Sequence, residues 1–331
     1  MIRMGSDEPE DAHSDAKVKD GSACTKETGA SFASILSEMN EFRTGSPKRA
    51  ELLEDIAGMT GNNVIAYIAN TDCPGLASAI DRRDPIPFFD LFKHIDKTRG
   101  IDLIINSNGG DPDVAEKIVK LCRSVSQTFR VMVPYVAKSA ATLIALGADQ
   151  VLMGRVSELG PIDPQISVIS RTGKLKTFPA NSYLDSVAKI EKAIQENGGR
   201  IPPLYLPYLN SEFEPSFVDC CEKAIQRAKR TAEEWLAKYM LKGDQQKAES
   251  IANKLCDADR EYLSHGKVID AAEAQDLGLN VVILEQEDPL WKKLWEYYCR
   301  VIIMFNENPR VTKVYETPVE SIRVGLKDRE Q

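Results

Sequence analysis

Ile101-Asp-Leu-Ile-Ile-Asn-Ser-Asn-Gly-Gly110 and, downstream, Val136-Ala-Lys-Ser-Ala-Ala-Thr-Leu-Ile-Ala-Leu-Gly-Ala-Asp149 decide how this chain is read. Ile101 to Ile105 is a strand-length apolar run that ends in a glycine pair, and Ser139 to Gly147 reads as an apolar helix. Between them Asp111-Pro112 opens another helix, with Asp as N-cap and Pro at the first helical position. Val114, Ile118 and Leu121 fall on one face of it. Phe129 to Val136 reads as a strand and Gln150 to Met153 as the next. Strand, helix, strand, helix, strand at this spacing predicts an α/β layered fold.

Working outward, Asn63 to Ala69 is a short buried strand and Pro87 to Ile95 a helix with one apolar face. Helical pieces are expected between Phe32 and Ala57, broken near Gly45-Ser-Pro47. Residues 1–30 are polar and acidic and read as a tail unable to offset its own chain entropy. An α/β core is therefore expected over 31–170, followed by a helical insertion or arm over 171–263. Its helices are Tyr183 to Glu196, Glu214 to Leu241 and Gln245 to Leu263. Residues 264–305 return to an α/β and helical rhythm, and 306–331 read as a polar, extended tail.

The formal net charge of −8 argues against a nucleic-acid partner. Seven cysteines, with no CxxC pair, suit a reducing compartment better than a disulfide framework or a zinc site. The N-terminal segment lacks an apolar signal region, and Val131 to Ala148 is interrupted by Pro134, Lys138 and Ser139. No uninterrupted run of about 20 apolar residues is present, so no transmembrane segment is expected and the location is read as cytoplasmic.

Ser139 stands where the apolar helix begins, with only Ala140 and Ala141 beside it. Small neighbours and unpaired helix-start amides would let a carbonyl approach closely. The plainer reading is an N-cap serine, the commonest role at a helix start. Gly109-Gly110 is either a strand-to-helix turn or a place where backbone N–H groups face an anion. A nucleophile and an oxyanion hole are the two parts of an acyl-transfer site, and together the two segments supply a candidate for each.

Ile105-Asn-Ser-Asn-Gly-Gly110 resembles the I-N-S-x-G-G signature of the Clp protease and signal peptide peptidase A superfamily. Ser139-Ala-Ala-Thr-Leu-Ile-Ala-Leu-Gly-Ala-Asp149 is similar to the nucleophile helix of signal peptide peptidase A. Gly266-Lys-Val-Ile and Ala274-Gln-Asp-Leu-Gly-Leu279 resemble that family's closing segment. Ser157-Glu-Leu-Gly-Pro-Ile-Asp-Pro-Gln165 looks most like the serine dehydrogenase proteinase group. The resemblance spans residues 60–165 and 264–285. It implies a Clp/crotonase-type spiral of β-β-α units, assembled as a homo-oligomer, and an ATP-independent serine endopeptidase acting on peptide or protein substrates. No cofactor or metal is implied.

The resemblance makes Ser139 the nucleophile, with the amides of Gly110 and Ala140 as the oxyanion hole. No histidine stands where Clp protease has one; Ile162-Asp-Pro-Gln165 occupies that neighbourhood. Of His13, His94 and His265, only His265 fits the Ser, Asp, His chain order of the serine dehydrogenase proteinase group. Asp163 is the chosen orienting carboxylate, with Asp111, Asp149 and Asp185 as alternatives. A Ser-Lys dyad, as in signal peptide peptidase A, would instead use Lys189 or Lys192, and Lys138 adjoins the serine directly. Two rival readings stand: an acyl-CoA hydratase or isomerase of the crotonase type using Glu158, and a non-catalytic scaffold.

Overall fold

The computed structural model describes residues 47–73, 77–169, 175–211, 215–257 and 266–326. The described residues begin with α1 (Pro47–Thr60), β1 (Asn63–Ala69), α2 (Pro85–Leu91), β2 (Ile101–Asn106) and α3 (Pro112–Val125). It continues through β3 (Phe129–Val133), β4 (Val136–Ala137), α4 (Ala140–Leu146), β5 (Gln150–Gly154) and β6 (Glu158–Leu159). The ribbon β7 (Gln165–Ile169) and β8 (Leu175–Pro179) leads into α5 (Ala180–Glu196), α6 (Leu206–Ser211), α7 (Pro215–Trp235) and α8 (Gln245–Cys256). The chain closes with β9 (Ile269–Asp270), α9 (Ala271–Asp276), β10 (Val281–Leu284), α10 (Pro289–Glu307), β11 (Val311–Glu316) and β12 (Ser321–Gly325).

Seven strands form one sheet in the order β10-β5-β3-β2-β1-β11-β12. The first five run parallel, and β11 and β12 add an antiparallel hairpin beside β1. Both faces are covered, which explains why β1 and β2 read as near-continuous apolar runs. Ile65, Tyr67, Leu103, Ile105, Val131 and Val133 point to one face, against α3, α4, α7 and α8. Val64, Ala66, Ile68, Ile104, Met132 and Leu152 point to the other, against α1 and α10. The period-two alternation of a strand divides these side chains between two cores.

A second, small sheet holds β4, β6 and β9, and Ser107 extends it through a parallel bridge to Ala137. A long strand followed by a short one and then a helix therefore recurs: β2, Ser107 and α3, then β3, β4 and α4. This is the β-β-α unit of the Clp/crotonase-type fold. The sequence predicted one strand from Phe129 to Val136; the chain breaks at Pro134, which has no N–H for a ladder, and Val136 joins the other sheet.

Other expectations shift in length or role. The helix after Asp111 forms as read, with the Asp111 carboxylate accepting from Asp113 N–H at 2.9 Å. Of the helix expected over Gln245 to Leu263, Gln245–Cys256 is observed and residues 258–265 lie outside the described ones. The arm is not peripheral throughout. Ala232, Trp235 and Leu236 pack into the main core with Ile251 and Leu255 of α8. The segment after Asn306 is extended, but as a hairpin inside the sheet; every residue of β11 is buried. Its polar residues are internal because they are paired: Arg49 Nη2 lies 2.8 Å from Glu316 Oε1, and the Tyr297 hydroxyl donates to Glu316 Oε2 at 2.9 Å.

Among the described residues no helix is long and apolar enough to cross a membrane. Cys122, Cys220, Cys221, Cys256 and Cys299 are free thiols. Burial pushes Cys122 up to about 12, and Cys256 likewise up to about 12, whereas Cys220 is exposed. Iodoacetamide at about pH 8 needs accessible thiolate. It should therefore alkylate Cys220 in the native protein and leave Cys122 and Cys256 unmodified until denaturant is added, as read by peptide mass spectrometry.

Candidate active site

The end of β2 carries a buried amide that joins three strands. Asn106 Nδ2 donates to the Ala69 carbonyl at 3.2 Å, and its Oδ1 accepts from Val136 N–H at 3.0 Å. Ser107 N–H then donates to Val136 O at 2.9 Å, and Lys138 N–H to Ser107 O at 3.0 Å. These bonds run the glycine loop alongside the segment that ends in Ser139. The contact is close: a Cβ on Gly109 would sit 2.7 Å from Ser139 Cβ and 2.7 Å from Lys138 O. Gly109 also has φ +100°, so both space and backbone conformation select glycine.

Gly110 is held from its other side. Ile80 N–H donates to Gly109 O at 2.8 Å, and Asp111 N–H donates to Ile80 O at 2.9 Å. In this bridge the N–H of Gly110 takes no part. A Cβ on Gly110 would lie 2.3 Å from Ile80 O.

Ser139 has φ +52° and ψ −118° and makes no side-chain capping hydrogen bond to α4. The plain N-cap reading therefore does not describe it. A non-glycine residue at positive φ carries strain that its surroundings must hold. Here the Ser139 carbonyl accepts from Leu143 N–H at 3.0 Å, and the Lys138 carbonyl from Ala141 N–H at 2.9 Å. The helix beyond is buried at every position from Ala140 to Leu146. As the first residue of α4, Ala140 has no carbonyl one turn earlier for its N–H.

Thr142 ties α4 to the segment before β7. Its hydroxyl lies 2.6 Å from Ala137 O and accepts from Gly160 N–H at 3.1 Å. Ile162 N–H donates to Leu255 O at 2.9 Å, which docks the same segment on the end of α8. Asp163 follows, 1% exposed, and accepts from Gln165 Nε2 at 3.1 Å.

A cleft of ≈ 210 Å³ brings these parts together: Gly110, Ser139, Ala140 and Asp163 all line it. Leu143 and Ile162 give it an apolar floor, and Ala224, Ala228 and Thr231 of α7 form its far wall. Arg227 of the same helix closes the rim, ion-paired with Asp113 and 3.3 Å from Glu116 of α3. By composition alone the mixed-charge run Glu222 to Lys242 would mark a solvated face. The overlooked signal was the small residues at i, i+4 and i+7 (Ala224, Ala228, Thr231), which share one face of a helix.

The other candidates lie as follows. His265 is outside the described residues. Lys138 adjoins Ser139, but its Nζ is 3.1 Å from Glu158 Oε1 and donates to Gly266 O at 3.3 Å. Glu158, the carboxylate of the hydratase reading, is thereby engaged and is not in the cleft lining. Lys189 stands on the exposed side of α5, away from the lining residues, and Lys192 is paired with Glu196 at 3.8 Å. Asp111 caps α3, and Asp149 is held by Arg123 Nη1 at 2.9 Å. Asp185 lies on α5, outside the lining. His94 Nε2 is 2.7 Å from Glu320 Oε2, also outside it. Among the described residues no group of three or more His, Cys, Asp or Glu side chains could hold a metal ion.

Comparison with known proteins finds the following similarities. Residues 42–199 match the family model of ClpP-like SDH-type serine proteinases. An uncharacterized protein of Methanocaldococcus jannaschii is 26% identical over 260 residues, covering 76% of this chain and 79% of that relative. Among solved structures, a mutant of a membrane-bound stomatin-specific protease superposes with a TM-score of 0.38 at 16% identity, over 65% of this chain and 79% of the other. ClpP1 from Listeria monocytogenes superposes with a TM-score of 0.38 at 14% identity, over 72% of this chain and 97% of the other. The serine, the glycine loop and the β-β-α units all lie inside the segment that matches the ClpP-like, SDH-type serine proteinase model, so this part of the chain is similar to that family.

Proposed function

We propose that this protein is an ATP-independent serine endopeptidase that cuts peptide bonds through an acyl-enzyme on Ser139. The observation that carries the reading is Ser139 itself. It sits at φ +52° with no capping bond and opens on a cleft shared with Gly110, Ala140 and Asp163. Strain at a polar residue facing a cavity is the mark of a functional position rather than a structural one.

In the proposed reaction Ser139 Oγ adds to the carbonyl carbon of the scissile bond, and its proton passes to the imidazole of His265. Negative charge develops on the carbonyl oxygen, which the N–H groups of Gly110 and Ala140 receive. The imidazolium gives its proton to the departing amine as the C–N bond breaks. Water then attacks the ester, loses its proton to the imidazole and restores Ser139. Asp163 would accept from the imidazole and hold it in the productive tautomer.

Three contacts support His265 over a lysine. Ile162 N–H bonds Leu255 O, so the end of α8 lies beside Asp163. Gly266, the residue after His265 in sequence, accepts at its carbonyl from Lys138 Nζ at 3.3 Å, and Lys138 adjoins Ser139. Lys138 is in turn taken up by Glu158. The substrate is a peptide or protein segment, because an apolar floor with a charged rim suits a side chain flanked by backbone. Self-association belongs to the same reading: Ile201, Leu204 and Leu206 are exposed at 41%, 72% and 41%, an apolar stretch that a second subunit would cover. A cytoplasmic location completes it, in keeping with the free thiols of Cys122, Cys220, Cys221, Cys256 and Cys299.

Intact-mass labelling with a fluorophosphonate tests the chemistry. The wild-type chain should gain one adduct, and Ser139→Ala and His265→Ala should lose it, while Lys189→Ala keeps it. Loss with Lys138→Ala but not with His265→Ala would move the base to a Ser-Lys dyad. An unlabelled wild type would sink the peptidase reading. Gly110→Ala places a Cβ against the Ile80 carbonyl and displaces the proposed oxyanion amide. It should slow labelling by about 10²–10³-fold, and an unchanged rate would remove Gly110 from the oxyanion hole.

A further inference from the structure

Lys313 is a charged side chain at 2% exposure in the middle of β11, where a packed sheet would ordinarily place an apolar one. Its Nζ lies 2.6 Å from Asp84 Oδ1 and 3.2 Å from Asp81 Oδ2. Asp84 is 1% exposed and receives two phenols besides: Tyr315 donates to Oδ1 at 2.5 Å and Tyr67 to Oδ2 at 2.9 Å. Asp81 N–H donates to the same Oδ2 at 2.9 Å. Burial first, and then the neighbouring negative charges, push both phenols well above the usual tyrosine range, so they remain donors.

The turn clamped this way, Asp81 to Asp84, begins at the residue after Ile80. Ile80 is the main-chain partner of Gly109 and Asp111. Within the glycine loop itself, Ser107 Oγ accepts from Gly109 N–H at 3.1 Å. A continuous route thus runs from the buried ion pair to the glycine loop through the Asp81–Asp84 turn and the Ile80 backbone.

We propose that the Lys313–Asp84 pair, with Tyr67 and Tyr315, is a positioning device that holds the Gly109–Gly110 loop so that the Gly110 amide faces Ser139. The proposal rests on Gly110 being the oxyanion donor. These residues touch neither nucleophile nor substrate and act through Ile80. Lys313 and Tyr315 lie beyond the segment matched by the family model, so the C-terminal hairpin serves a loop at the far end of the chain.

The same strand provides its own control. Glu316 points to the opposite face of the sheet, where it forms a buried pair with Arg49 away from the cleft. The experiment compares Asp84→Asn/Lys313→Met with Arg49→Met/Glu316→Gln, and adds the milder Tyr315→Phe in case the first pair folds poorly. Two readouts are taken: the second-order rate of Ser139 labelling by a fluorophosphonate, and amide hydrogen exchange in peptides covering 105–111 against α8 as reference. Removing the Lys313 pair should slow labelling by about 10–100-fold and speed exchange in 105–111 selectively, with Tyr315→Phe smaller in the same direction. The Arg49 pair should lower thermal stability but leave both readouts at wild-type values. Equal slowing in both double variants, or unchanged exchange at 105–111 without the Lys313 pair, would overturn the proposal. A wild-type chain that does not label would defeat the peptidase reading instead, and the exchange comparison would still decide the positioning role.

Discussion

The Asn106 side chain, fully buried where β2 ends, is the joint on which the site depends. It donates to one strand and accepts from another, which an aspartate could not do and an apolar residue could not imitate. Because it holds Val136 level with Ser107, the next hydrogen bonds fall into register and Lys138–Ser139 runs beside Gly109. Every later feature of the cleft follows from that register. Gly109 must lack a side chain because Ser139 Cβ already fills the space, and Ser139 is turned into its unusual backbone conformation at the same contact.

A strained serine needs rigid neighbours, and the fold supplies them from distant parts of the chain. Thr142 and Gly160 fasten α4 to the segment carrying Asp163, and α8 fastens that segment again through Leu255. On the other flank the C-terminal hairpin brings a buried cation to Asp81 and Asp84. Isolated buried charges are costly, but a carboxylate with a lysine, two phenols and a backbone amide has all its acceptor capacity used. Such a fully satisfied polar network holds one geometry, which apolar packing of the same volume does less well. The two pairs on β11 face opposite sides of the sheet, so the strand organises both cores at once.

The helical arm contributes more than bulk. α7 turns its small residues toward Ser139 and its arginine toward α3, narrowing the cleft to one side-chain-sized recess. Alanines at positions 224 and 228 keep that recess open, while Leu143 and Ile162 make its floor apolar. Hydrogen bonding raises the Arg227 pKa further, through Asp113 first and then Glu116, so the rim stays charged at any ordinary pH. The pairs are well exposed, so they orient the helix more than they stabilise it.

Local pattern alone determined the strands β1, β2 and β5, the capped helix after Asp111, and the pairing of a helix-start serine with a glycine loop. Each is written in a few consecutive residues: an apolar run, an Asp-Pro, a Gly-Gly. The break at Pro134 was written there as well, but its consequence, a strand that changes sheets, required a partner more than twenty residues away at β6. Polarity misled where pairing was non-local. The segment after Asn306 looked like a tail because Lys313 and Glu316 are charged, and only Asp84 and Arg49, over two hundred residues away in sequence, make them internal. The wall that α7 gives the cleft was likewise hidden, since a charged helix shows its buried stripe only when something packs on it. Composition and periodicity report what a segment can bury; the fold decides which distant group satisfies it, and at this site that choice sets the geometry around Ser139.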